Sequence, residues 1–79
     1  MGVYPYPARS KATLFVGTAD VSPQDVRLVD INGKVFTGVS VKRSSTQTIE
    51  LNLAPLLNGI YFVRVNIGGA TKLFKVEKF

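Results

Sequence analysis

Thr46-Gln47-Thr48-Ile49-Glu50-Leu51-Asn52-Leu53 decides the fold. Ile49, Leu51 and Leu53 alternate with Thr48, Glu50 and Asn52, and an apolar–polar period of two belongs to a strand with one buried and one wet face. The same grammar runs outward in both directions. Upstream, Ala12, Leu14 and Val16 alternate with Lys11, Thr13 and Phe15 in a strand ending near Gly17. Asp20–Gln24 is a loop, and Val26–Ile31 is the next strand. Downstream, Ala54-Pro55-Leu56-Leu57 cannot continue the strand, since Pro55 lacks a ladder donor; at most it forms one helical turn. Ile60–Ile67 follows, with Tyr61, Val63, Val65 and Ile67 on one side, and Ala70–Phe79 is the last strand.

Turn residues punctuate these runs. Asn32-Gly33 stops an apolar run and suits a type I′ turn, after which Lys34–Val41 returns with Val35, Thr37, Val39 and Val41 on one face. Gly38 inside that return marks a bulge. Asn58-Gly59 supplies the turn before the Tyr61 strand, and Gly68-Gly69 joins the last two strands as a two-residue hairpin. Tyr4-Pro5-Tyr6-Pro7 is extended and pairs only as a short edge strand. Strands and turns recurring about every eight to twelve residues describe an all-β protein. Two antiparallel sheets closed over the alternating apolar positions give an immunoglobulin-like β-sandwich of about seven strands.

Composition narrows the chemistry. The chain has 79 residues, and the expectation is one domain over Val3–Phe79 with Met1-Gly2 read as an added start. Such a beginning fits a piece cut from the end of a longer protein. There is no cysteine and no histidine, so thiolate chemistry and a Ser–His–Asp arrangement are both excluded. Asp20, Asp25, Asp30, Glu50 and Glu77 form no evident acid–base pair. Asp30-Ile31-Asn32 resembles the opening of a calcium loop, but Lys34-Val35-Phe36 replaces the further oxygen ligands, so Asp30 is read as bonding the turn backbone. No metal, cofactor or catalytic residue is expected. Tyr61 reads as a core tyrosine with a backbone partner.

Ten Lys and Arg against five Asp and Glu give a net charge of +5, which favours anionic partners in a general way. The basic residues are dispersed, with only Lys42-Arg43 adjacent and no basic stripe carrying exposed aromatics, so nucleic acid is not an expected partner. No stretch approaches the roughly 20 apolar residues that span a bilayer, and no apolar core of a signal peptide follows Met1.

Four motifs in order then carry a resemblance: Val3-Tyr4-Pro5-x-Pro7; Leu28-Val29-Asp30-Ile31-Asn32-Gly33-Lys34; Leu57-Asn58-Gly59-Ile60-Tyr61-Phe62-Val63-Arg64-Val65; and Lys72-Leu73-Phe74-Lys75-Val76. The chain resembles the C-terminal sorting domain of the type IX secretion system of Bacteroidetes. The resemblance implies a seven-stranded sandwich that ends a cargo protein and is not an enzyme. It implies passage through the periplasm, delivery by an outer-membrane translocon and its shuttle proteins, and attachment at the cell surface or release. It also implies a sortase-like cysteine protease that removes the domain and joins the cargo to anionic lipopolysaccharide. Tyr6 stands where the family usually has Asn, and Leu57-Asn58-Gly59 where it has Pro-x-Gly; the first departure leaves open a member retained uncleaved in the secretion apparatus.

With the resemblance, the last strand becomes the expected recognition element: Lys72, Lys75, Val76, Glu77, Lys78 and Phe79, read by β-augmentation. Against it stands an edge strand decorated with lysines to prevent aggregation. Self-association through the terminal strands is a further expectation, and a generic immunoglobulin-like or fibronectin-like accessory module, such as a carbohydrate binder, is the alternative function.

Overall fold

The computed structural model describes residues 1–79. The chain forms β1 (Gly2–Tyr4), β2 (Lys11–Phe15), β3 (Val26–Asp30), β4 (Val35–Phe36), β5 (Val41–Arg43), β6 (Thr48–Asn52), β7 (Gly59–Ile67) and β8 (Ala70–Lys78), with a single 3-10 turn at Pro23–Asp25. Two four-stranded antiparallel sheets result, ordered β1-β2-β6-β5 and β4-β3-β7-β8. The architecture is the expected all-β sandwich, with eight strands in place of about seven.

The alternation read from the sequence becomes the core. Ala12 and Leu14 of β2, Ile49 and Leu51 of β6, Val26 and Leu28 of β3, Val63 and Val65 of β7 and Val76 of β8 are all essentially inaccessible to solvent. They form one cluster with Ala8, Val16, Val21, Leu53, Leu56 and Tyr61. Burying such side chains contributes on the order of 1.5–3 kcal/mol each, which is what a chain without disulfides relies on. Tyr61 is only 7% exposed. Its hydroxyl donates to the Leu57 carbonyl at 2.6 Å, and its ring meets Phe36 edge-on with centroids 5.5 Å apart.

The extra strand comes from Lys34–Val41, which does not return as one strand. Val35–Phe36 pairs with β3 and Val41–Arg43 with β6, so the chain crosses between sheets at Thr37–Ser40. Gly38 lies in this crossing, where a bend replaces the expected bulge. Facing changes as a result. Phe36, Val39 and Val41 pack against the core, while Val35 shares the opposite face of its sheet with Val29.

The turn at Asn32-Gly33 also differs from expectation. Type I′ needs positive φ at both residues, yet Gly33 alone has it, at +84°. The Gly33 amide donates to the Asp30 carbonyl at 3.0 Å and the Asp30 amide to the Lys34 carbonyl at 3.0 Å. That is a three-residue loop in which Gly33 takes the left-handed bulge position. Asp30 explains the choice: its carboxylate accepts from the amides of Asn32 and Lys34, both at 2.8 Å, which fixes the turn in the non-primed form. Gly68 and Gly69, at φ +54° and +84°, form the true two-residue turn between Ile67 and Ala70.

At the other end, Gly2–Tyr4 pairs with Leu14 and its neighbours, so the first strand stops where Pro5 begins rather than running through the prolines. Leu53–Leu56 closes as a hydrogen-bonded turn, the Leu56 amide donating to the Leu53 carbonyl at 2.9 Å, with no helix.

Candidate functional site

β8 is an edge strand, paired with β7 from Ile67↔Ala70 to Gly59↔Lys78. Its six expected recognition residues do not present one surface. Lys72 and Lys75 are exposed, on opposite faces, since Lys72 lies opposite Val65 and Lys75 opposite Phe62. Val76 is fully buried and faces the core opposite Tyr61. Glu77 is half-buried, on the same face as Lys75.

The end of the strand is tied down by the segment after Pro7. The buried Ala8 forms a parallel bridge with Lys78, its amide donating to the Glu77 carbonyl at 2.7 Å and its carbonyl accepting from the Phe79 amide at 3.0 Å. The Lys78 ammonium donates to the Leu56 carbonyl at 2.8 Å, and the Arg9 guanidinium sits 5.1 Å from the centre of the Phe79 ring. These bonds occupy the outward backbone groups of Glu77 and Phe79. The corresponding groups of Thr71, Leu73 and Lys75 have no backbone partner beyond β8, because alternate residues of an antiparallel strand point their amides to opposite sides. The open edge of β8 is therefore Thr71–Lys75, upstream of most of the expected set. Local sequence gives no sign of this closure, since it joins Ala8 to residues at the far end of the chain.

The expected turn residues keep structural positions. Asn32, Gly33, Asn58 and Gly59 are at the ends of β3 and β7, and Gly68 and Gly69 at the β7–β8 hairpin. Where the crossing at Thr37–Ser40 leaves the sandwich unsealed, a cleft of about 360 Å³ opens, lined by Val26, Leu28, Val35, Phe36, Val39 and Val41 with Pro23, Gln24, Arg27 and Thr37. The Arg43 guanidinium bonds the Val21, Ser45 and Thr46 carbonyls nearby. No three carboxylates come together as metal ligands would. An open edge and an apolar cleft can hold a polypeptide; neither brings a nucleophile against a base.

A family model described as "Secretion system C-terminal sorting domain" matches residues 2–77, nearly the whole chain. The chain belongs to that family. Comparisons with curated proteins and with solved structures gave no match. The sorting domain is a C-terminal signal for type IX secretion and belongs to a family of signals rather than of enzymes. It implies interaction with the type IX machinery and export to the cell surface or beyond. The sorting domain thus has a sandwich for a body, with strand edges and outer faces exposed.

Proposed function

We propose that the domain directs a cargo protein through the type IX outer-membrane translocon, read along β8 with Lys72 and Lys75 as the charged contacts. The match over residues 2–77 supports this reading. In it, the folded domain crosses the periplasm with its cargo and meets shuttle proteins and translocon, and the cargo is attached at the surface or released. A sortase-like cysteine protease and anionic lipopolysaccharide complete the route when the domain is cleaved. The alternative route keeps the domain uncleaved on a component of the apparatus, and the departure at Tyr6 is the feature that raises it.

The contribution of β8 is geometric. An edge strand offers amides and carbonyls at strand spacing, so a partner strand gains backbone hydrogen bonds while Lys72 and Lys75 select its charge. The test is a fluorescent cargo carrying a signal peptide and this domain, expressed in a bacterium with a type IX system. Cargo reaches the surface or the medium, cargo without the domain stays in the periplasm, and Lys72→Glu/Lys75→Glu lowers delivery without lowering the level of folded protein. Retention of the wild-type fusion in the periplasm, equal to that of the domain-free control, refutes the reading.

A further inference from the structure

The outer face of the β4-β3-β7-β8 sheet carries a charge arrangement that folding alone does not favour. Arg27 of β3 lies directly opposite Arg64 of β7. Arg64 in turn lies opposite Leu73, which puts Lys75 diagonally across on the same face. Directly opposed residues have Cβ atoms about 5 Å apart, and like charges placed so are destabilising. No carboxylate pairs with any of the three. The one ion pair in the chain, Lys11 to Glu50 at 4.0 Å, belongs to the other sheet. Asp25 bonds Ser22 and Asp30 bonds its own turn. Arg27 donates only to the carbonyls of Gln24 and Val26, so its charge stays uncompensated. Glu77 is the sole acid on this face, two residues along β8 from Lys75 but without an ion pair to it.

Beside the arginines runs an apolar row that ends at Lys75. Val35, Val29 and Phe62 are successive cross-strand partners on this face, and Val29 is only 5% exposed although it lies outside the main core. Leu73, 59% exposed, stands beside Arg64. Val35 and Phe62 are half-buried, Arg27 and Arg64 line one side of the row, and Lys75, opposite Phe62, closes its end. A bilayer surface is gripped by protruding apolar anchors, whereas a half-buried row with cations along one side and at one end fits the alternating side chains of another polypeptide.

We propose that this face docks an acidic segment of a partner protein, its carboxylates on Arg27, Arg64 and Lys75 and its apolar side chains on Val29, Phe62 and Leu73. The binding chemistry goes beyond the sorting reading; assigning the partner to the export machinery rests on that reading. Charge complementarity argues for the occupant, since only an anionic partner relieves the opposed arginines.

The test uses the purified domain, the peptide acetyl-(Glu-Val)4-amide as probe, and amide shifts followed by NMR. Saturable shifts along β3, β7 and β8 are expected, absent with acetyl-(Gln-Val)4-amide and reduced by added salt, which screens charges over about 10 Å at 0.1 M. Affinity falls roughly tenfold in Arg64→Glu/Lys75→Glu, the equivalent of one lost charge-assisted hydrogen bond, and is unchanged in Lys11→Glu/Lys42→Glu on the other sheet. Both variants alter side chains on the outer faces of the sheets, and a thermal melt shows whether each remains folded. Should Arg64→Glu/Lys75→Glu unfold, Arg27→Gln/Arg64→Gln replaces it. Equal binding of the two peptides, shifts confined to the other sheet, or tighter binding to phosphatidylglycerol vesicles than to the peptide overturns the proposal. In the cargo fusion, wild-type delivery with undiminished delivery of Arg27→Gln/Arg64→Gln, which keeps Lys72 and Lys75, removes the export partner and leaves the sorting reading standing. Failure of wild-type delivery removes the sorting reading, while the peptide titration still decides the docking face.

Discussion

Replacing Val76 by alanine separates folding from recognition in β8. Val76 is fully buried against Tyr61 and the rest of the core, whereas its neighbour Lys75 is exposed. The substitution removes two carbons' worth of buried surface, about 1.6 kcal/mol at ~0.8 kcal/mol per methylene. A residual cavity of roughly 40 Å³ adds about 1 kcal/mol at ~24 cal/mol per Å³. A domain of this size is stable by ~4–12 kcal/mol, so a loss near 2.5 kcal/mol is a large share of the total. At about 4–8 °C per kcal/mol the melting temperature falls by some 10–20 °C. Lys75→Ala changes stability by no more than about 0.5 kcal/mol. Circular dichroism melts of the three proteins check this. A shift in Val76→Ala as small as that of Lys75→Ala refutes the reasoning, because the strand would not then be packed as described. The consequence reaches the secretion assay. Removing Val76–Phe79 takes away a core residue and both backbone bonds to Ala8. Loss of delivery in such a truncation reports unfolding, whereas charge changes at exposed positions such as Lys72 and Lys75 report reading.

Three further substitutions test the backbone and the core. Gly33→Ala costs about 1 kcal/mol, since a Cβ there meets no neighbouring atom and the whole effect is the +84° φ. Gly38→Ala, equally open but without positive φ, is neutral or slightly stabilising, and urea titration with an unchanged slope distinguishes the two. Tyr61→Phe removes the hydrogen bond to the Leu57 carbonyl and lowers stability by about 1 kcal/mol in the same titration, because the carbonyl of the exposed Leu57 turns to water.

Sequence reading reached furthest where the signal is local. The period of two in Thr48–Asn52 and Ile60–Ile67 assigns strands and their buried faces because alternation is a property of the strand itself. Gly68-Gly69 is legible for the same reason, as two residues free of a Cβ are what a two-residue primed turn requires. Asn32-Gly33 misled because the dipeptide is compatible with more than one turn, and the Asp30 carboxylate chose between them. Residues 34–41 alternate well enough to be one strand, yet they divide between the sheets. Each half pairs with its neighbour in sequence, Val35–Phe36 with β3 and Val41–Arg43 with β6, and the two neighbours lie in different sheets because β3 pairs with β7 and β6 with β2, which are distant in the chain.

What the sequence determined by itself, then, is a set of strands with inward apolar faces, the turns that separate them, and an ordered motif pattern specific enough to point to a sorting domain. The tertiary structure decided the switch between sheets, the fastening of Glu77 and Phe79 by Ala8, and the conversion of scattered basic residues into a surface. Arg27, Arg64 and Lys75 read as dispersed charge along the chain. Register alone sets Arg27 opposite Arg64 with Lys75 beside them, because antiparallel pairing joins residues by strand alignment and not by proximity in sequence.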